Sequence, residues 1–339
     1  MSKNFFVNIQ IFILEKVRRV IKSIAKKEKQ ILYFIKFLIW KKNNIKNIEF
    51  NEDFFLKKNL SNEDVKYLPE QVIVCVCFYF KKDRLEQLKK VCHNLQNIGK
   101  KVEIQIITNG DIKDFPNYSE ITKNNNKIEI HNIKSLYHPY LLPWAHFVVM
   151  REKIKNYSYS HFLYLEDDIL IDKSNIIYWQ KSREILDQYN LIPQFFRVES
   201  NSNNKKIYSS DLLEKINYNK VPKLISKNKT VAFINVPNPY QGCYFYDRKL
   251  MEEFLNSPAS SPDFLFYKNA HEDILIRERA NAGLMHYNTP SGFFNRHVLP
   301  VMIKNKKIID FCLIQHLGEN NSINSSNSFG TIDIEDVIY

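Results

Sequence analysis

The spacing of apolar residues divides the chain into regions with different predicted structure. Over residues 6–24, apolar side chains recur every three or four positions with lysine and arginine between them, which predicts a basic amphipathic helix. A ten-residue apolar run follows at residues 31–40, interrupted only by Lys36. This run is shorter than the roughly 20 residues that a helix needs to cross a bilayer. We expect residues 1–46 to lie on a membrane surface or, alternatively, on the rest of the protein.

The next region alternates continuous apolar runs with helical patterns. Strands are predicted at residues 72–78, 101–108, 127–133 and 161–165, and helices at about 84–98 and 143–155. Continuous β-branched runs of this kind are typical of a largely parallel sheet that is buried on both faces. Beyond residue 166 the pattern is more mixed, with a helix at 175–189 and short strands near 195–198, 231–236 and 243–246. The predicted class is α/β, a Rossmann-type mixed, largely parallel sheet flanked by helices.

These patterns predict four regions along the chain. Residues 1–46 form the basic amphipathic helical segment, and residues 47–70 form a polar linker rich in Asn and Lys. One globular domain occupies residues 71–318. Residues 319–339 form a polar C-terminal tail.

The net charge of +12 is concentrated at the N-terminus. Residues 1–46 contain twelve Lys or Arg and two Glu, a charge of +10, which leaves +2 for the remainder. A protein that reads nucleic acid carries its basic groups on a folded face, so no nucleic-acid partner is expected. A basic, aromatic-rich amphipathic segment instead favours anionic lipid headgroups.

Glycine and cysteine usage removes further classes. None of the seven glycines belongs to a GxGxxG or GxxxxGK motif, so a dinucleotide fingerprint and a P-loop are excluded. The five cysteines include no CxxC pair, and no small-residue cleavage site follows the N-terminal apolar region. We therefore expect a cytoplasmic protein, peripherally attached to the inner face of the membrane.

Three adjacent carboxylates, Glu166, Asp167 and Asp168, directly follow the predicted strand at 161–165. They repel one another, and burying them without a cation would be costly. Strand alternation places Glu166 and Asp168 on one side and Asp167 on the other. Such hard oxygen ligands suit Mn²⁺ or Mg²⁺ bridging a diphosphate. The alternative interpretation is a solvated acidic turn.

Further motifs follow this acidic cluster in a specific order. They are Tyr240-Gln241-Gly242, His271-Glu272-Asp273, and His316 within residues 314–318. The sequence resembles the GT-A fold glycosyltransferases, whose shared core contains an acidic DxD metal motif, a glycine-containing loop, an xED motif and a late histidine. The resemblance covers residues 71–318, with Glu rather than the commoner Asp at the first acidic position.

The resemblance implies a role for each matched residue. It assigns Asp168 and His316 to the metal, Glu166 and Asp167 to the ribose or the water shell of the metal, and Gly242 to the approach of the backbone to the donor. It assigns catalysis to the Glu272-Asp273 pair, with Asp273 as the base. His286 and His297 compete with His316 for the metal position.

Some of these residues also have simpler interpretations. Asp273 lies in the first turn of a predicted helix, where the helix dipole stabilises a carboxylate and Arg277 is one turn away. Arg84 and Arg151 are expected to bind the nucleotide-sugar donor, Arg151 through the diphosphate. For Arg84 a solvated helix start is the alternative.

The function expected is a metal-dependent, hexosyltransferase-type glycosyltransferase. It would move a sugar from a nucleoside diphosphate donor, a UDP-sugar, to a hydroxyl of a glycan or glycolipid, inverting the linkage with Asp273 as base. This activity would serve surface-glycan or glycolipid synthesis. Two alternatives remain: a nucleotidyltransferase, whose glycine- and Lys/Arg-rich loop residues 77–80 lack, and a non-catalytic membrane-associated binding protein.

Overall fold

The computed structural model describes residues 23–24, 27–42, 47–115, 126–262, 276–318, 322 and 329–339. Within them the strands are, in chain order, β1 (Asn47–Ile48), β2 (Gln71–Phe78), β3 (Lys101–Thr108), β4 (Lys127–Asn132), β5 (His161–Glu166), β6 (Ile169–Leu170), β7 (Ile192–Pro193), β8 (Phe196–Ser200), β9 (Ile207–Ser209), β10 (Lys223–Ser226), β11 (Val231–Ile234), β12 (Cys243–Asp247), β13 (His297–Met302), β14 (Lys307–Ile308) and β15 (Leu313–His316).

Helices alternate with these strands. They are α1 (residues 27–42), α2 (Asp53–Leu56), α3 (Leu85–Leu95), α4 (His146–Lys153), α5 (Lys173–Leu186), α6 (Arg248–Asn256) and α7 (Ile276–Ala282). In α3 the buried side chains follow the three- and four-residue spacing of one helix face, and they are Leu88, Val91, Cys92 and Leu95. At the start of α5, Asp172 and Asn175 form a capping box that satisfies the free amides of the first turn.

The central sheet has the strand order β12-β5-β2-β3-β4. Strands β2, β3, β4 and β5 are parallel to one another, and β12 pairs antiparallel with β5 at the edge of the sheet. Seven of the eight residues of β2 are buried, because helices cover both faces of this part of the sheet. The fold is thus mixed α/β with a mostly parallel central sheet flanked by helices, which is compatible with a Rossmann-like architecture.

Two further sheets accompany the five-stranded central one within the described residues. A six-stranded sheet has the order β1-β10-β11-β13-β14, with β7 also pairing with β13. A four-stranded sheet has the order β6-β15-β8-β9. Strand β13 lacks a counterpart in the sequence prediction because Pro300 lies inside it, and an internal proline argues against a strand.

Helix α1 packs on the body along one face. The rings of Tyr33 and Phe294 lie 4.8 Å apart between centroids, and the Nε1 of buried Trp40 donates to the carbonyl oxygen of Lys223 at 3.2 Å. Gly292 has φ +87°, and a Cβ there would meet the Trp40 backbone at 2.8 Å. Of the predicted segment 1–46, residues 1–22, 25–26 and 43–46 lie outside the described residues.

Two stretches assigned to a linker and a tail contain buried residues. Within 47–70, Phe54 and Phe55 are buried, and the Phe55 ring lies 5.4 Å from that of Phe233. Residues 329–339 add backbone hydrogen bonds to the body and bury four aliphatic side chains, those of Ile332, Ile334, Val337 and Ile338. Both stretches pack on the folded body because a few apolar residues among many polar ones are enough to attach them. In the described part of the chain, no helix is long and apolar enough to span a bilayer.

Candidate functional site

The three adjacent carboxylates lie where the chain passes from one sheet to another. Glu166 is the last residue of β5 in the central sheet, and Asp167 and Asp168 form the turn into β6 of the four-stranded sheet. Glu166 is paired with Cys77, near the end of the parallel strand β2. The cluster therefore sits at the carboxyl ends of parallel strands, where ligands of open α/β sheets bind.

Backbone pairing brings Asp168 next to His316. Strand β15 runs antiparallel to β6 with His316 opposite Ile169, and the amide of Leu317 donates to the Asp168 carbonyl oxygen at 2.7 Å. The His316 Nε2 lies 3.4 Å from the Asp168 Oδ2. His316 thus lies beside the acidic turn, whereas His297 lies on β13 of the six-stranded sheet.

A buried carboxylate orients the His316 ring. The ring Nδ1 donates to the Oε1 of Glu199 at 2.7 Å, and Glu199 is fully buried on β8. This contact leaves Nε2 directed towards Asp168. A histidine that binds a metal usually donates its other ring nitrogen to a carboxylate in this way. The sequence motifs did not predict a role for Glu199. Charged residues at alternate positions of a buried strand, here Arg197 and Glu199, are the signal that points to it.

Arg84 contacts both aspartates of the turn. Its Nη2 lies 2.9 Å from the Oδ2 of Asp167 and 3.0 Å from the Oδ2 of Asp168. The predicted placement of Asp167 on the opposite side is wrong, because strand alternation no longer applies within the turn. Arg84 lies just before α3 and is partly exposed, so its guanidinium bridges the acidic turn and solvent.

Glu166 faces a different set of partners. Asn281 on α7 donates through Nδ2 to the Glu166 Oε1 at 3.3 Å and to the Tyr240 hydroxyl at 3.1 Å. The Arg197 Nη1 lies 3.8 Å from the Glu166 Oε2, while its Nε donates to Asp211 at 3.0 Å. A buried polar network therefore connects the acidic cluster to α7. The sequence motifs did not predict a role in this site for Arg197, Asp211 or Asn281.

The pKa values in the cluster reflect crowded negative charge. Burial, and then the charge of Asp168, raises the pKa of Glu166 to about 7, and the same causes raise the pKa of Asp167 to about 7. Burial would also raise the pKa of Asp168, but its contacts with His316 and Arg84 lower it to about 2. Burial lowers the pKa of His316, but Asp168 and Glu199 together raise it to about 9. A cation at this position would relieve the repulsion.

Gly242 is required by close packing. It has φ +66°, and a Cβ there would lie 2.9 Å from the Arg197 Nη1 and 2.9 Å from the Ile169 Cδ1. A larger residue would push Arg197 away from its carboxylate partners. The glycine therefore keeps the network around Glu166 in place, which differs from the donor approach implied by the resemblance.

Among the described residues, the predicted donor-binding residue Arg151 contacts a different part of the structure from the acidic cluster. Arg151 donates to the Leu255 carbonyl oxygen at 3.1 Å and to the Ser260 Oγ at 2.9 Å, so its contacts tie α4 to the end of α6. These contacts leave no observed link between Arg151 and a diphosphate site. Glu272 and Asp273 lie outside the described residues.

The residues present fit a divalent cation only if substrate supplies further ligands. Among the described residues, no group of three or more His, Cys, Asp or Glu side chains is placed to hold a metal by itself. The Asp168 Oδ1 is nevertheless buried without a hydrogen-bond partner, and the His316 Nε2 faces the same carboxylate. Two protein ligands of this kind leave most coordination positions free for phosphate oxygens and water, as Mg²⁺ prefers.

Comparison with known proteins adds no assignment: no protein-family model matches the chain, and no curated protein is significantly similar to it.

Proposed function

We propose that this protein is a metal-dependent glycosyltransferase with a GT-A-like fold, transferring a sugar from a nucleoside diphosphate donor to a hydroxyl. The observation that carries the proposal is the pairing of Asp168 with His316, the latter oriented by the buried Glu199. A structural ion pair needs no unpartnered carboxylate oxygen, whereas the Asp168 Oδ1 is buried and unpartnered. A metal ligand explains both features.

The donor site follows from the same residues. Asp168 and His316 would hold Mn²⁺ or Mg²⁺, which when bound supplies positive charge that stabilises the leaving diphosphate. Arg84 adds a guanidinium at the edge of the turn, 3.0 Å from Asp168, where it can pair with a phosphate oxygen. Arg197 and Asn281 contact Glu166 and fix its position within the cluster. In the proposed donor site, the Glu166 carboxylate would accept a hydrogen bond from a ribose hydroxyl.

The acceptor side rests on the sequence motif. In the proposed reaction Asp273 would remove the proton of the acceptor hydroxyl as that oxygen attacks the anomeric carbon of the sugar. The bond from this carbon to the phosphate oxygen breaks on the opposite side and the nucleoside diphosphate leaves, so the anomeric configuration inverts. Glu272 stands beside it in the chain. The described helix α7 begins three positions later and contacts Glu166 through Asn281, so the region following the motif borders the acidic cluster.

The donor is proposed to be a UDP-sugar and the acceptor a glycan or glycolipid of surface-glycan synthesis on the cytoplasmic face of a membrane. A nucleotidyltransferase is disfavoured by the path of the chain after β2. There the Phe80 amide donates to the Asn109 Oδ1 at 2.8 Å, and the Phe80 ring covers Gly110. This backbone amide is therefore unavailable to cradle a phosphate.

Calorimetric titration of UDP with and without Mn²⁺ tests the proposal. The wild-type protein should bind UDP much more tightly with Mn²⁺, and Asp168→Asn should remove the metal-dependent part while keeping the fold. Asp310→Asn, a matched change at a carboxylate that is 75% exposed, should bind as the wild type does. Metal-independent UDP affinity, or an unaffected Asp168→Asn, would remove the metal site from the function. Absence of sugar transfer despite normal binding would leave only the non-catalytic binding protein.

A further inference from the structure

Helix α1 carries apolar residues on two opposite faces. At 100° per residue, one face is formed by Tyr33, Phe37 and Trp40, and the other by Ile31, Phe34, Ile35, Leu38 and Ile39. The centres of the two faces are about 160° apart on this spacing. The first face packs on the body, where Tyr33 contacts Phe294 and Trp40 donates to the Lys223 carbonyl oxygen. The second face points away from it.

The second face is exposed to an extent unusual for large apolar side chains. The exposed fractions are 59% for Ile31, 60% for Phe34, 47% for Ile35, 45% for Leu38 and 38% for Ile39. No described residue covers this stripe. Single exposed apolar residues are ordinary, but five at i, i+3, i+4, i+7 and i+8 form a contiguous patch that indicates a binding surface.

The charges around the stripe indicate what binds there. Exposed Lys27 lies one turn before Ile31 on the same side, and exposed Lys41 and Lys42 lie at the other end, with Glu28 as the acidic residue nearby. The whole of residues 1–46 carries +10. An apolar stripe with lysines at its ends matches the boundary between acyl chains and anionic headgroups. A protein partner with a matching apolar groove would gain little from this surrounding positive charge.

We propose that the Ile31–Ile39 stripe of α1 lies in the surface of an anionic bilayer while the opposite face holds the catalytic body. The helix is then shared between lipid and protein, so the body is fixed to the membrane rather than tethered to it. The lysines at both ends reach headgroup phosphates, and Phe34 and its aliphatic neighbours enter the acyl boundary. This inference does not depend on the transfer reaction proposed above.

Vesicle sedimentation with the full chain tests the inference directly. The wild-type protein should co-sediment with phosphatidylcholine vesicles that contain phosphatidylglycerol, and less with phosphatidylcholine alone. The pair Ile35→Glu and Leu38→Glu should lower the partition coefficient on the order of tenfold or more, because two charges would enter the apolar boundary. Leu213→Glu is the matched control, since Leu213 is 54% exposed but lies on the body. It should bind as the wild type does.

Three results would overturn the inference. The first is an absence of wild-type co-sedimentation. The second is undiminished binding by the Glu pair, which would assign the membrane contact to residues 1–22. The third is that the wild-type protein does not bind vesicles but is a dimer in light scattering, and that the Ile35→Glu and Leu38→Glu pair makes it a monomer. This result would assign the stripe to contact with a second copy of the chain. The milder pair Ile35→Ser and Leu38→Ser, checked by circular dichroism, separates lost binding from lost folding.

Discussion

Arg84 and Asp168 are joined by a contact of 3.0 Å in which the guanidinium Nη2 approaches the Oδ2 of the carboxylate, and the same nitrogen lies 2.9 Å from Asp167. The arginine thus supplies positive charge at the acidic turn, in addition to that of His316, whose pKa is raised to about 9. A divalent cation on Asp168 must share this carboxylate with Arg84. A phosphate group of the substrate is negatively charged, as the Asp168 carboxylate is, so it can pair with the Arg84 guanidinium that the cation displaces.

Replacing Arg84 should therefore separate metal binding from donor binding. Arg84→Gln removes a competing cation, so Mn²⁺ alone should bind more tightly, while UDP in the presence of Mn²⁺ should bind more weakly because a phosphate partner is lost. Lys82 lies in the same short 3-10 helix as Arg84, Lys82–Arg84, and no carboxylate contact is observed for it in the described structure. Lys82→Gln removes one positive charge there and serves as the control. Calorimetry of Mn²⁺ and of UDP measures both. A parallel change in the two affinities would contradict the exchange.

Glu199 should act on the metal through His316. Glu199→Gln leaves the ring without a charged acceptor, and loss of such a partner typically costs about 10–100-fold in metal affinity. The double variant Glu199→Gln with His316→Ala should lose little more Mn²⁺ affinity than His316→Ala alone, because both changes act on one ligand. Mn²⁺ titration by electron paramagnetic resonance measures the free ion. Additive losses would show that Glu199 acts elsewhere.

Asp273 should affect turnover rather than donor binding. A positioned base contributes about 10²–10⁴-fold, so Asp273→Asn should lower kcat by that order while Mn²⁺-dependent UDP affinity changes little. A helix-start aspartate would behave differently, since asparagine retains capping and a pair with Arg277 at i,i+4 would contribute only about 0.2–0.5 kcal/mol. Steady-state kinetics beside UDP titration decides between these cases. Near-normal kcat would exclude Asp273 as the base.

Trp40 should contribute to the stability of the body although it lies in the N-terminal segment. It is 5% exposed, and truncation of a buried tryptophan costs about 3–5 kcal/mol. Trp40→Ala should lower the free energy of unfolding by that amount, whereas Phe34→Ala, on the exposed stripe, should change it by less than about 0.5 kcal/mol. Urea unfolding measures both. Equal effects would show that α1 does not pack as described.

His146 should make stability depend on pH in the acidic range. It is fully buried against the Pro143 carbonyl and the Tyr244 hydroxyl, and burial lowers its pKa from 6.5 to about 3. Between these values the unfolded chain binds a proton that the folded chain does not, so this group destabilises the fold as pH falls below 6.5. From pH 7 to 5 the wild type should lose about 2 kcal/mol relative to His146→Gln. Urea unfolding at both pH values tests this. A constant difference would show that His146 titrates normally.

The central sheet was predictable because its information is local. Strands buried on both faces appear as continuous apolar runs, and β2, β3 and β5 lie within one residue of their predicted bounds. The six-stranded sheet was not predictable in the same way. Its strands are short, and its pairings join segments such as β1 and β10 that are far apart in the chain.

The acidic cluster could also be predicted from the sequence, but of the residues that contact it only some could be. Asp168 and His316 were placed together through the order of motifs, and a ladder between β6 and β15 accounts for their proximity. Glu199 and Asn281 carry no local signal of comparable strength, since their roles arise from pairing across strands and helices. Asp167 was misplaced because β5 ends at Glu166, two residues before Asp168, so alternation does not extend through the acidic triplet.

The backbone separation of Asp168 and His316 is fixed by main-chain hydrogen bonds between β6 and β15. The pairing of His316 with Ile169 and the bond from the Leu317 amide require only that the backbone be extended there. Neighbouring side chains are consequently free to drift in identity over generations while the pair keeps its separation. Diverged relatives would then retain the geometry of these two residues long after the surrounding sequence has ceased to align.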